Sequence, residues 1–278
     1  MLAEQRRQLI LDILEQESRI VAKDLAEKFQ LSIDSIRRDL SIMEDQGLLK
    51  KTYGGAIPPT KVRTFPLPES MRYREGSPSQ DEIAKLAVSY IKENETVFIG
   101  GAGIHYGMLK HLSRSMFFTV VTNSLKVAQT IREWDNIDSY IIGGKLHAQS
   151  GNLNDSLAIE QIQSFSFDVC FLTGAGLTEK GLSTATPDGA SFARAVSKVS
   201  RKKIGLAPFD KIGIQKFASS VRLQDIDIVI TDEEADQSFI QHMEAQGVQV
   251  LLAPPHNERN LTDEVPSDRT IPELAGQC

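Results

Sequence analysis

Five prolines, Pro58, Pro59, Pro66, Pro68 and Pro78, crowd into one stretch together with Gly76, Ser77 and Ser79. Proline fixes φ and lacks an N–H, so neither a helix interior nor a central strand continues through such a segment; it favours extended, semi-rigid chain. The sequence therefore divides into a first unit over residues 1–57, a linker over 58–80 and a larger unit over 81–253. Beyond that, Pro254-Pro255-His256-Asn257-Glu258 opens a polar tail, 254–278, whose few apolar residues build no core and predict disorder. A chain of 278 residues, 41% hydrophobic and 24% charged, is long enough for two globular domains. No apolar run approaches the length of a membrane span and Met1 to Arg7 lacks a signal-peptide core, which predicts a cytoplasmic protein. The two cysteines, Cys170 in an apolar run and Cys278 at the terminus, argue against a disulfide framework or a thiolate metal site.

The first unit reads as three helices and a hairpin. Leu9, Ile10, Ile13 and Leu14 make an apolar stripe along Gln5 to Gln16, and Leu25, Ala26 and Phe29 mark one side of a second helix over Ile20 to Gln30. Leu31-Ser32 leaves room for a tight turn only. Ser32 then caps a third helix in which Ile36, Leu40 and Met43 recur at helical spacing, with Gly47 as its stop. At about 100° per residue, the face opposite Ile36 and Leu40 carries Asp34, Arg38 and Ser41, flanked by Ser35 and Arg37. Short polar groups and guanidiniums of this kind reach base edges and phosphates, and arginine donates bidentately to guanine. Lys50, Lys51 and Tyr53 fall on a short strand and glycine turn that reads as a wing able to touch the DNA backbone. Formal charge is −6, so DNA affinity would have to arise from where the basic residues stand.

The run Leu31-Ser32-Ile33-Asp34-Ser35-Ile36-Arg37-Arg38-Asp39-Leu40, followed by Met43-Glu44, Gly47 and Tyr53-Gly54-Gly55-Ala56, resembles the N-terminal signature of the DeoR family of bacterial repressors. Ser35 stands where that family usually has threonine. The resemblance covers nearly all of residues 4–57. It implies a winged helix-turn-helix that binds double-stranded operator DNA through Ser32, Asp34, Ser35, Arg37, Arg38, Ser41, Lys50, Lys51 and Tyr53.

From Asp81 the rhythm changes to short apolar runs separated by helical segments. Strands are predicted at Thr96 to Ile99, Phe118 to Val121, Tyr140 to Ile142, Val169 to Leu172, Ile204 to Ala207, Ile228 to Ile230 and Val248 to Leu252. Helices are predicted around Ile83 to Ile91, Leu125 to Glu133, Leu157 to Ser164, Ser191 to Arg201 and Asp236 to Gln246, with Arg201-Lys202-Lys203 a solvated helix end. Continuous apolar strands alternating with helices argue for a mostly parallel α/β sheet with ligands at the carboxyl ends of its strands. Four of those ends carry glycines or small polar residues: Gly100 to Gly103, Thr122-Asn123-Ser124, Gly143-Gly144-Lys145 and Thr173-Gly174-Ala175-Gly176. Glycine lets backbone N–H groups approach an anion, and four such loops on one edge read as a ligand cleft.

This half again resembles the DeoR family, whose sensor domain is similar in fold to ribose-5-phosphate isomerase and the glucosamine-phosphate deaminases. The resemblance implies a phosphorylated sugar or related effector held by Gly101, Gly103, Thr122, Asn123, Ser124, Gly143, Gly144, Gly174, Gly176, Asp188 and Lys211, in a homo-oligomer without cofactor. Three departures stand out. Gly100-Gly101-Ala102-Gly103-Ile104 replaces an aspartate-serine-glycine-threonine-threonine loop, Ala193 lies where a lysine is common, and Pro208 replaces an aspartate. An acidic group and a lysine are thus missing from the expected cleft, which leaves a different ligand, or none, open. His105 and His147 lack a second ligand at metal spacing and read as surface or loop histidines, so no metal site is expected. Asp188 and Asp210 would serve as general base in an isomerase-like enzyme carrying a DNA-binding appendage; a ligand-responsive repressor of a carbohydrate operon is the reading adopted, with no catalytic residue. An effector-independent DNA-binding protein is the other alternative.

Overall fold

A computed structural model of the chain describes residues 2–17, 20–52, 54–58 and 77–255. Tyr53, most of the linker with Pro59, Pro66 and Pro68, and residues 256–278 of the tail lie outside the described residues.

The first unit is built from α1 (Ala3–Glu17), β1 (Ile20–Val21), α2 (Ala22–Phe29), α3 (Ile33–Asp45), β2 (Lys50–Thr52) and β3 (Gly55–Ile57). Ile10 and Leu14 of α1, Leu25 of α2, Ile36, Leu40 and Met43 of α3 and Ala56 of β3 close one core. Ile20-Val21, expected to begin the second helix, is instead a strand antiparallel to β3, with Ile20 opposite Ala56. Its β-branched pair supplies the third strand of the wing sheet, in the order β1-β3-β2. Helix α2 is closed by Gln30 in the left-handed conformation, and the N-cap of α3, Ser32, follows two residues later, so the two helices are joined by a tight turn.

The larger unit begins with α4 (Pro78–Val88), inside the stretch read as linker: Ser77 caps it and Pro78 takes the first helical turn, where a missing N–H does no harm. Then follow β4 (Thr96–Phe98), α5 (Gly103–Met108), β5 (Phe118–Thr122), α6 (Leu125–Ile131), β6 (Ile137–Ile141), α7 (Ser156–Ile162), β7 (Phe167–Thr173), β8 (Gly176–Thr178), β9 (Gly181–Thr184), α8 (Pro187–Lys198), β10 (Ser200–Leu206), β11 (Ala218–Ser219), β12 (Ile228–Thr231), α9 (Gln237–Ala245) and β13 (Gln249–Leu252). Seven strands form a parallel sheet in the order β13-β12-β10-β7-β4-β5-β6. One face packs on α4, α5 and α6 through Ile83, Ala87, Met108, Val127 and Ile131. The other packs on α7, α8 and α9 through Ala158, Ile162, Phe192, Val196 and Met243.

Two readings need correction. Arg201-Lys202-Lys203 is the first half of β10 and no helix end; Ser200 pairs with Phe167 and Lys203 with Cys170. The residues are polar because the strand begins at the rim of the sheet before it dives into the core. The short sheet β11-β9-β8 was not foreseen, since its strands carry neither an apolar run nor a long alternation. The order of the main sheet reverses between β4 and β7. From β4 the chain proceeds to β5 and β6 on one side, and from β7 to β10, β12 and β13 on the other, which opens a crevice at the carboxyl ends of the two central strands.

Candidate nucleic-acid interface and effector cleft

In the first unit, α3 is held from three directions. Ser32 Oγ accepts from the Ser35 N–H at 3.2 Å and lies 2.9 Å from Ser35 Oγ, which fixes the start of the helix. On the inner side, Asp39 accepts from Arg6 Nε at 2.6 Å and from Arg7 Nε at 2.9 Å, with its own side chain 4% exposed. On the wing side, the Lys51 N–H donates to Glu44 Oε1 at 2.8 Å and Lys51 Nζ donates to Ser41 Oγ at 2.7 Å. Asp34, Arg37 and Arg38 are exposed, with Arg37 Nη1 3.4 Å from Asp34 Oδ1. Between helix and wing runs a groove of about 260 Å³ lined by Ala22, Arg37, Leu40, Lys51, Thr52, Gly54 and Gly55. The predicted set thus falls into two groups. Asp34, Arg37, Arg38 and Lys50 are exposed, while Ser32 and Ser35 bond to each other at the start of the helix and Ser41 and Lys51 bond helix to wing. The Arg6–Asp39–Arg7 clamp was missed, because nothing local marks a carboxylate whose partners lie more than thirty residues upstream.

In the larger unit, Thr122, Asn123 and Ser124 sit at the end of β5 and are buried. Thr122 Oγ1 accepts from the Ser124 N–H at 3.1 Å, Asn123 Nδ2 donates to the Leu153 carbonyl at 3.0 Å, and Ser124 Oγ caps α6 through the Val127 N–H. The partner of Asn123 belongs to an excursion over residues 143–155 that returns across the strand ends. Its backbone bridges Ser124 at Asn152, and the Leu153 N–H donates to the Asn123 carbonyl at 2.9 Å. The Asn152 side chain packs against Gly101: a Cβ there would stand 1.9 Å from Asn152 Oδ1. Asn154 reaches toward Gly189 at the start of α8, and the buried Oδ1 atoms of both asparagines make no hydrogen bond among the described residues. Sequence reading overlooked both asparagines, which carry no spacing signal.

The remaining positions are spread around this rim. Gly103 begins α5. The Gly143 N–H donates to Gln161 Oε1 at 2.9 Å, and Gly144 adopts φ 127°, against Asp155, the N-cap of α7. Gly174 and Gly176 back onto the carbonyls of Ser183 and Ile214, so their lack of a side chain is needed for packing. Asp188 is exposed in the first turn of α8, and Lys211 Nζ pairs with Asp210 Oδ2. His105, expected at the surface, is buried in α5 beside Gly100. Burial pushes the Cys170 thiol up to about 12, which removes it as a nucleophile. Among the described residues no group of three or more His, Cys, Asp or Glu stands where it would hold a metal ion, and no helix is long and apolar enough to cross a membrane.

Comparison with known proteins accounts for both units. Residues 6–62 match the DeoR-like helix-turn-helix domain, and residues 77–233 match the DeoR C terminal sensor domain. The HTH-type transcriptional repressor GlcR of Bacillus subtilis (strain 168) is 31% identical over 255 residues, covering 91% of this chain and 97% of the relative. The transcriptional repressor AccR of Agrobacterium fabrum is 28% identical over 229 residues, covering 82% of this chain and 88% of the relative. Among solved structures, ribose 5-phosphate isomerase A from Methanocaldococcus jannaschii is similar at a TM-score of 0.36 and 11% identity, covering 48% of this chain and 53% of that one, a likeness on which nothing below rests.

Proposed function

The chain belongs to the DeoR family of transcriptional regulators, and from that premise we propose that it is a repressor of carbohydrate-metabolism genes whose hold on operator DNA is set by a phosphorylated sugar or related metabolite. The observation that carries the reading is the capped helix α3, presenting Asp34, Arg37 and Arg38 outward beside a wing locked to it through Lys51. Arg38 reads base edges, while Arg37, Lys50 and Lys51 meet phosphates along the groove between helix and wing, and Tyr53 joins them on the family resemblance alone.

The effector enters at the carboxyl ends of β4 and β7, in a sensor unit of ribose-5-phosphate isomerase and glucosamine-phosphate deaminase type. Gly101, Gly103, Gly143, Gly144, Asp188 and Lys211 border it, and Thr122, Asn123, Ser124, Gly174 and Gly176 shape it from beneath. For the ligand to act, it must bind the DNA-competent and DNA-incompetent states with different affinity, and DNA must alter ligand affinity by the same factor. Residues 1–57 form the DNA-binding domain, the linker runs from 58 to the start of α4 at Pro78, the sensing and oligomerising domain continues from there to 253, and 254–278 is a tail. The test is binding of the full-length protein to its own upstream region, in the presence of a panel of sugar phosphates. Release by one compound, lost in the Lys211→Ala protein, supports the reading; binding indifferent to the whole panel removes the effector from it.

A further inference from the structure

The outer strand β6 is left bare in a way parallel sheets rarely are, since such sheets are normally covered on both faces. Ile137 is buried, but every residue from Asp138 to Ile141 is exposed, so neither face is covered over that length. Among the described residues β6 pairs with β5 alone. Tyr140 is 55% and Ile141 48% exposed, and Leu157, the first apolar residue of α7, is 56% exposed. The Tyr140 ring lies 6.1 Å from that of Phe165, just beyond the end of α7, so the apolar strip continues from strand to helix. Proteins usually protect an edge with charge, proline or a bulge; here Asp138 is the one charged residue on the strand.

The backbone of β6 says which pairings are open. The Asn136 carbonyl and the Ile142 N–H bond inward to Phe118 and Thr122. Peptide groups alternate along a strand, so those of Ser139 and Ile141 point outward. An antiparallel second copy of β6 can use these groups in three registers. One sets Asp138 against Asp138 of the other copy, where like charges repel. A second sets Tyr140 against Tyr140 and shortens the overlap. The third is centred on Ser139, aligns all five residues, places Ile137, whose N–H is already given to the Trp134 carbonyl so that only its C=O is open, opposite Ile141, and sets the Asp138 carboxylate opposite the Tyr140 hydroxyl.

We propose that β6 is a homodimer interface in which two copies of this chain pair antiparallel about a twofold axis at Ser139, joining their sheets into one and burying Tyr140, Ile141 and Leu157. In this register the strand is complementary to itself in hydrogen bonding and sets no like charges against each other, which is what an isologous contact requires.

The test is cross-linking of the full chain. In a Cys278→Ser background, Ser139→Cys places two thiols across the axis at about 5.5 Å between Cα atoms, within disulfide range. Mild oxidation is expected to convert most of the protein to a covalent dimer, while Gln249→Cys on β13, the opposite edge, gives none. Sedimentation of the unoxidised protein is expected at twice 30.8 kDa, and Tyr140→Glu with Ile141→Lys raises the dimer dissociation constant about a hundredfold, as loss of two interface anchors would. A monomeric chain, as when its own tail covers the edge, overturns the proposal. So does a dimer that cross-links through Gln249→Cys and not through Ser139→Cys. Neither result touches the DNA-binding reading, which is measured on the operator.

Discussion

Asp39 accepts from two guanidiniums, those of Arg6 and Arg7, which are 12% and 21% exposed, and this ties α1 to the middle of α3. Removing the carboxylate leaves two cations facing each other in a half-dry pocket. Asp39→Ala is therefore expected to destabilise the first unit by about 3 kcal/mol, the scale for breaking a buried pair from one side, measured as a lower urea midpoint for the unfolding of α3. Ser32→Ala removes only the cap and is expected to lose about 1 kcal/mol. In the sensor, the Thr96 N–H and then its hydroxyl hold the Asp168 carboxyl below the usual carboxylate range, with Arg201 adding to this against desolvation. A depressed folded-state value gives stability that is present at neutral pH and disappears as pH falls through it. The stability gap between wild type and Asp168→Asn is thus expected to be widest at pH 7 and to close in acid below the ordinary carboxylate range; a gap that does not change with pH would contradict this. Ser32, Ile36 and Leu40 were legible because a cap and a 3.6-residue period are local signals. Asp39 and Asp168 were not, because a carboxylate reads as solvated until its partners, Arg6 or Thr96, are brought from elsewhere in the chain.

The excursion over residues 143–155 depends on the first glycine loop. Gly101→Ala would push its Cβ into Asn152 Oδ1, and the Asn152 side chain is tied to a backbone segment bridged to Ser124. Gly101→Ala is expected to lower stability by about 1–3 kcal/mol, the range for overpacking, and Asn152→Ala in the same protein to restore most of it. Additive losses, measured by thermal unfolding of the four proteins of the cycle, would show that the two residues do not meet. The parallel strands and their order of alternation with helices could be read from the sequence, since apolar runs bounded by glycine and polar loops are a strong pattern. Ile20-Val21 could not, because two residues hold no period and only pairing with Ala56 and Gly55 makes them a strand. The same holds for β8, β9 and β11. Arg201-Lys202-Lys203 looked like a helix end since three cations in a row carry no apolar period; register with Phe167 to Cys170 makes them sheet.

At the scale of the whole molecule nearly all of the acidic excess lies outside the first unit, which carries nine basic and ten acidic residues over positions 1–57, so attraction to DNA must come from the placement of Arg37, Arg38, Lys50 and Lys51. Lys51→Ala is expected to weaken binding to every duplex and to reduce the salt slope by about 1; because Lys51 Nζ also holds Ser41, the operator is expected to lose somewhat more affinity than a scrambled duplex. The division into a DNA-reading and a sensing unit was legible from the proline cluster and the change of rhythm at Asp81. The identity of the effector was not, because Gly101, Gly174 and Gly176 turn out to serve packing as well as any ligand, and Asn152 and Asn154 gave no signal at all. The most direct test of the central claim is titration of the operator region and a scrambled duplex with the full-length wild type and its Arg38→Ala variant at two salt concentrations. The account predicts that the wild type prefers the operator and that Arg38→Ala loses about 1–3 kcal/mol of that preference. A wild type that binds both duplexes alike, or an Arg38→Ala protein that keeps full preference, would contradict it.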